Sequence, residues 1–355
     1  MFSYIFSGDF PRSKLLTLLL VVIVVGLVLT PWLFPGSRSM ETAMRIAIFI
    51  VLVASYDLLL GYTGIVSFAH TMFFGIGAYG VAITLNEMGR GYDAIFIGTA
   101  LGFVGSVLLA FLIGLFSLRV KAIFFAMVTL AVASAFTLLV SQLYQFTGGE
   151  DGLTYSIPRE LSPAFKLMKD KVFGVSINGK LVLYYCILFA SFGLFLFMLR
   201  VVNSPFGRVL QAIRENEFRA EAIGYRTVIY RTATNCLAAG MAALAGSLMA
   251  IWLKYTGPDT TLSLNIMVDI LLMVVIGGMG TLYGAVIGST LFIMAQNYLQ
   301  ELMKVASDQF SAMGLPLLPD LIHPDRWLLW FGILFILSVY FFPTGIVGRL
   351  RKAKT

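Results

Sequence analysis

The stretch "LLLGYTGIVSFAHTMFFGIGAYG", Leu58 to Gly80, contains no Asp, Glu, Lys or Arg but five glycines. It is long enough to cross a bilayer, for which roughly 20 apolar residues suffice. Yet each glycine costs a helix interior about 1 kcal/mol against alanine. A second stretch of the same kind, "VIGGMGTLYGAVIGST", runs from Val275 to Thr290, and both contain a Gly-x-x-Gly. In hydrocarbon, backbone groups freed from a helix must be satisfied by protein or by a wet cavity. The glycines therefore mark either tight helix crossings or interrupted helices along a path through the membrane. On the second reading the path residues are Gly61, Thr63, Gly64, Ser67 and His70, with Gly277, Gly278 and Gly280.

Outward from these stretches the chain keeps the same character. It is 59% hydrophobic and 12% charged, where a soluble protein has about a quarter charged residues. Ten apolar runs are expected as spans, at about 15–33, 43–60, 65–85, 94–118, 121–143, 181–200, 231–254, 263–277, 281–300 and 327–343. The run 263–277 is short, and a re-entrant element is an alternative there. The fold class is all-α: a polytopic membrane helix bundle of about ten transmembrane helices with interrupted, glycine-rich members. Residues 1–355 form one transmembrane domain.

Charge orients the bundle. Lys and Arg concentrate on the cytoplasmic side of membrane proteins. With both termini cytoplasmic, Arg12, Lys14, Arg119, Lys121, the segment Arg200 to Arg231 and the tail "GRLRKAKT" all fall inside. The loop 301–326 falls outside, with Glu301, Asp308, Asp320 and Asp325 against Lys304 and Arg326. The outer loop 144–180 holds five basic residues and argues the other way. Within it "TGGEDGLT" (147–154) offers positive φ at several glycines. Asn178-Gly179 reads as a hairpin turn leading into the sixth span.

The net charge of +7 does not indicate nucleic acid, because the basic residues flank apolar runs instead of forming one tract. Cys186 and Cys236 lie inside apolar runs and give neither a disulfide framework nor metal spacing. Asp57, His70 and Asp269 are the ionisable residues read inside spans, each expensive in hydrocarbon. They form no relay for protons, and two histidines far apart in sequence give no catalytic cluster. No cofactor or metal site is expected, and these residues do not point to an enzyme.

One charged stretch interrupts the oil. "NSPFGRVLQAIRENEFRAEAIGYR", Asn203 to Arg226, holds four arginines and three glutamates. Ser204-Pro205 starts a helix, with a serine cap and proline at the first position, and Gly224 stops it. Glu215 and Arg219 are spaced as an i,i+4 pair. The stretch, within a cytoplasmic loop at 201–230, is either a solvated helix or a docking surface. The chain has no Gly-x-x-x-x-Gly-Lys-[Ser/Thr] to cradle a nucleotide. Uphill transport would then need energy delivered by another subunit through this surface.

"YDLLLGYTGIVSFAHTMFFGIGAY", "TGGEDGL", "SPFGRVLQAIRENEFRAEAIG" and "IGGMGTLYGAVIG", in this order, resemble the M-type permease subunit of bacterial branched-chain amino-acid ABC importers. The resemblance runs from about residue 43 to 347. It implies a type II importer permease in the bacterial inner membrane. Its partners would be two ATPase subunits that bind the ATP, a second, H-type permease and a periplasmic substrate-binding protein. It also implies that the ATPase-coupling signature falls at Arg208, Arg214, Glu215, Asn216, Glu217, Ala220, Glu221 and Gly224. The general pattern Glu-Ala-Ala-x-x-x-Gly is imperfect here, where the chain has Glu221-Ala222-Ile223-Gly224. The family also contains permeases for urea, short amides and aromatic acids. A stand-alone secondary transporter or channel is the competing class.

Overall fold

Helices with no polar face are stable only where lipid or protein surrounds them, and the chain is built of such helices. The computed structural model describes residues 13–34, 36–117, 122–172, 175–312, 323–341 and 345–352. In chain order its helices are α1 (Lys14–Leu33), α2 (Ser37–Thr63), α3 (His70–Met88), α4 (Tyr92–Ser117), α5 (Ala122–Gln142), α6 (Tyr144–Thr147), α7 (Gly179–Val202), α8 (Pro205–Glu215), α9 (Glu217–Ala222), α10 (Thr227–Leu253), α11 (Pro258–Thr261), α12 (Leu264–Gly277), α13 (Leu282–Ala312), α14 (Trp327–Phe341) and α15 (Gly345–Lys352). Seven stretches among the described residues are long and apolar enough to cross a membrane: α1, α2, α4, α5, α7, α10 and residues 258–277. The other three expected spans correspond to α3, the first part of α13 and α14.

Helix α2 is the axis of the molecule, buried along most of its length. It is packed by α7, α10, α12 and α13, while α3, α4 and α10 pack together beside it. This second group is held by small residues. A Cβ on Gly77 would lie 2.6 Å from Ala243 Cα, and one on Gly246 2.8 Å from the Phe74 carbonyl carbon. The Ser247 hydroxyl donates to the Gly77 carbonyl at 3.0 Å, and buried Asn235 donates to Ala110 O at 2.8 Å. By contrast, α4 and α5 turn large side chains outward, including Phe96, Leu101, Ile123 and Leu138, as a lipid-facing surface would.

Helix α1 lies on the outside and buries only Leu16, Leu27 and Pro31. Pro31 has no amide hydrogen, so the carbonyl four residues earlier loses its helical partner. That carbonyl, on Leu27, accepts instead from Tyr184 Oη on α7 at 2.5 Å. Tyr185 Oη donates to Val28 O at 3.0 Å and accepts from Trp32 Nε1 at 2.7 Å.

The 144–180 segment is a small ordered layer. Gly148, Gly149 and Gly152 all take positive φ, as the sequence led us to expect. This lets β1 (Leu153–Thr154) turn and pair antiparallel with β4 (Tyr255–Thr256), while β2 (Lys166–Val172) pairs with β3 (Val175–Asn178). Asn178-Gly179 is not the turn of that hairpin. Its asparagine caps α7, the side-chain oxygen accepting from the Leu181 amide at 3.2 Å. Nor is the whole of 301–326 a loop, since α13 continues as helix to Ala312.

Candidate functional site

The last carbonyls and first amides of any helix lack partners within it. At two glycine breaks these orphans meet. Helix α2 ends with Gly64 at φ +72°, and the amides of Gly64 and Ile65 both turn back to the Leu59 carbonyl, that of Ile65 at 3.1 Å. The Thr63 hydroxyl donates to the same oxygen at 2.6 Å. The Gly61 carbonyl is thereby released from the helix. It accepts a hydrogen bond from Arg214 Nη1 on α8. A cationic side chain on the C-terminal carbonyls of a helix is favoured by hydrogen bonding and by the helix dipole.

The second break is complementary. Between α12 and α13, Gly278 and Gly280 take φ +117° and +79°. This leaves the Gly280 and Thr281 amides at the start of α13 free. Asp57 on α2 faces both, and its Oδ1 accepts from the Gly280 amide at 2.9 Å. Asp57 is 1% exposed and acts as an N-terminal cap supplied from another helix. Gly61 stands between the two breaks with no room for a side chain, since a Cβ there would lie 2.6 Å from Asp57 Cγ and closer still to the Gly280 nitrogen. A Cβ on Gly280 would in turn lie 2.7 Å from Arg214 Nη1. Asp57, Gly61, Gly280 and Arg214 thus form one clasp joining α2, α12, α13 and α8.

The loop helix itself differs from the sequence reading. Ser204 occupies the cap position and Pro205 the first turn, but the Ser204 hydroxyl donates back to Val201 O at 2.6 Å. The helix breaks at Asn216, which ends α8 and caps α9 by accepting from the Arg219 amide at 2.9 Å. Glu215 and Arg219 therefore sit on different helices and do not pair. Glu217 pairs with Arg231 at the start of α10, and Glu221 accepts from Thr227 at 2.7 Å. Gly207, Leu210, Ile213 and Ala220 face the bundle, while Arg208 and Glu215 are exposed. Gly224, at φ +96°, follows the end of α9. Phe218 is 83% exposed and Ile223 68% exposed on the same segment.

The remaining candidates fall elsewhere. Thr63, Ser67 and His70 are buried in the packed core. The Ser55 hydroxyl donates to Leu52 O, so it accepts from His70 Nε2 at 2.8 Å, and the Tyr56 ring lies 5.2 Å from the imidazole. Gly277 is pressed against the Gly284 carbonyl, and Gly278 against Gly345 at the start of α15. Asp269 is half-buried on α12, away from the clasp, where the Arg45 charge acts on it electrostatically. Arg45 was missed by the sequence reading, although it falls inside the expected span 43–60 and a cation inside an apolar run was signal enough.

Residues 39–339 match the family described as "Branched-chain amino acid transport system / permease component". The chain is 25% identical over 311 residues to the high-affinity branched-chain amino acid transport system permease protein LivM of Salmonella typhimurium, a match spanning 83% of this chain and 70% of that one. It is 28% identical over 262 residues to a probable LivM of Methanocaldococcus jannaschii, spanning 72% and 67% of the two chains. It is 26% identical over 314 residues to BraD of Pseudomonas aeruginosa, spanning 86% and 92%. No solved structure matches.

Proposed function

The chain belongs to the family of branched-chain amino acid transport system permease components, and on that footing we propose how it works. It is a multi-pass membrane permease, and its relatives are transport subunits, with no enzymatic family indicated. Its cargo is a branched-chain or other hydrophobic amino acid. Two ATPase subunits bind and hydrolyse the ATP, an H-type permease completes the membrane path, and a periplasmic protein delivers the substrate. The assembly sits in the inner membrane, with both termini and the 201–230 loop in the cytoplasm.

The observation that carries this reading is the hydrogen bond from Arg214 to the Gly61 carbonyl. It ties a charged surface helix to the point where the two interrupted elements cross. An ATPase seated on the exposed side of α8 and α9, with Phe218 and Ile223 as apolar knobs, would pull on Arg214 when it moves. Arg214 would then release or restore the Gly61 carbonyl, and with it the ends of α2 and α13. Gly61, Gly64, Gly277, Gly278 and Gly280 supply the flexible break, and Thr63, Ser67 and His70 pack behind it. A hydrogen bond to a charged group is worth about 1.5–3 kcal/mol, which corresponds to a population shift of roughly 10- to 100-fold.

The test is Arg214→Gln in the complete assembly reconstituted in liposomes. The ATPase subunits should still copurify, while leucine imported per ATP hydrolysed falls at least tenfold. Unchanged import per ATP would place the coupling elsewhere. Import of urea but not leucine by the unmutated assembly would overturn the choice of cargo.

A further inference from the structure

Arg45 and Asp269 play no part in the clasp. Both α2 and α12 reach the clasp with their C-terminal ends, and Arg45 and Asp269 lie in their N-terminal halves. Along α2, Arg45 stands about 18 Å from Asp57 at 1.5 Å per residue. The two charges therefore lie beyond the clasp from the coupling loop, toward the other face of the membrane. That is the side from which an importer receives its cargo.

Their surroundings are those of a binding site more than of a closed structural pair. The guanidinium and the carboxylate act on each other electrostatically. Yet the ion pairs among the described residues are Arg38–Glu301, Arg231–Glu217 and His323–Asp325, and Arg45–Asp269 does not close to that distance. Arg45 Nε is buried with no hydrogen-bond partner, and so is Asn297 Nδ2 on α13. The Arg45 guanidinium rests 5.9 Å from the centre of the Phe49 ring. At the outer edge, exposed Arg38 pairs with Glu301 and donates to the Asn297 carbonyl at 2.8 Å. Both Arg45 and Asp269 are partly exposed on the surface of the bundle.

A pair of opposite charges kept only for structure gains most by closing, because separated charges in a span are costly. A cation and an anion held apart, with an unpartnered N–H on the cation, match the head of an α-amino acid. We infer that this cluster is the outer docking site for the zwitterionic head of the transported amino acid, its carboxylate on Arg45 and its ammonium on Asp269. The inference rests on the amino-acid cargo proposed above. It names where that cargo is first held by the permease.

The experiment uses radiolabelled leucine and the complete assembly in liposomes, after the unmutated assembly has been shown to import leucine. The double variant Arg45→Gln/Asp269→Asn removes both charges together and leaves neither unpaired. If the pair is a binding site, the variant inserts and copurifies with its ATPase while leucine uptake falls at least tenfold. Uptake within twofold of the unmutated assembly, at equal abundance, would overturn the inference and leave the amino-acid permease assignment standing. Where the neutral pair does not accumulate, the exchanged variant Arg45→Asp/Asp269→Arg keeps one cation and one anion and is read by the same two outcomes.

Discussion

Replacing Gly61 by alanine adds one methyl group at the centre of the clasp, and its cost can be worked from the contacts. The new Cβ would sit 2.6 Å from Asp57 Cγ and closer still to Asp57 Oδ1 and the Gly280 nitrogen. Neither neighbour can simply rotate away. Asp57 is fixed by the Gly280 amide at 2.9 Å, and the nitrogen is backbone at the start of α13. Separating them leaves a buried polar group unsatisfied, about 1–3 kcal/mol, and forcing a methyl into a packed site adds about 1–3 kcal/mol. The total, about 2–6 kcal/mol, is a large share of the 5–15 kcal/mol that keeps a typical domain folded. Gly64 is the control. An added Cβ there meets nothing closer than Arg214 Cγ at 3.5 Å, so the cost is the left-handed φ alone, about 1–2 kcal/mol. Gly61→Ala should therefore lower the melting temperature of the detergent-solubilised assembly and cut leucine uptake far more than Gly64→Ala. Equal effects, or normal uptake and stability for Gly61→Ala, would show that the two breaks do not bear on each other as described.

Phe218→Asp changes a side chain that is 83% exposed and should leave the permease folded. As an interface anchor worth about 2–4 kcal/mol, its loss should weaken ATPase copurification roughly 30-fold or more, and unchanged copurification would argue for a solvated loop. Glu217→Arg should set two cations together in place of the Glu217–Arg231 pair and loosen α9 from α10, read as faster proteolysis between residues 216 and 226. Gly246→Val should prevent accumulation, because the side chain would meet the Phe74 backbone, whereas Gly193→Val, with open space around it, should accumulate normally. A membrane-impermeant thiol reagent applied outside intact cells should label Ser162→Cys and spare Phe218→Cys; the reverse pattern would invert the topology.

The long apolar elements were legible in the sequence because hydrocarbon imposes one rule on every residue of a span, so α2, α7 and α10 could be read from composition alone. The loop helix was half legible. Pro205 and Gly224 marked its ends, but a single asparagine at 216 splits it, and a 3.6-residue periodicity does not register one broken turn. Asn178 shows the same ambiguity: an Asn-Gly pair suits a hairpin turn and a helix cap equally, and only the neighbours decide. The end of α13 was missed because its last turns carry Gln300, Glu301, Lys304 and Asp308, and polarity was read as loop. The clasp was the least legible feature. Asp57 and Gly280 are 223 residues apart, and no local pattern says that the carboxyl of one break will cap the helix of the other. What the sequence did offer was a set of costly residues, glycines and an acid in oil, and these are the ones that converge.

The tyrosine stitch on α1 sets an order for biogenesis. Pro31 leaves the Leu27 carbonyl without a helical donor, and Tyr184, which supplies one, follows 157 residues later in the chain. At roughly 5–20 residues per second of synthesis, about 8–30 seconds pass between the two. Throughout that interval the first helix is in the bilayer with an unpaired carbonyl that only water, a lipid headgroup or the insertion machinery can satisfy. Helix α1, made well before α7, thus completes its hydrogen bonding only once α7 packs against it.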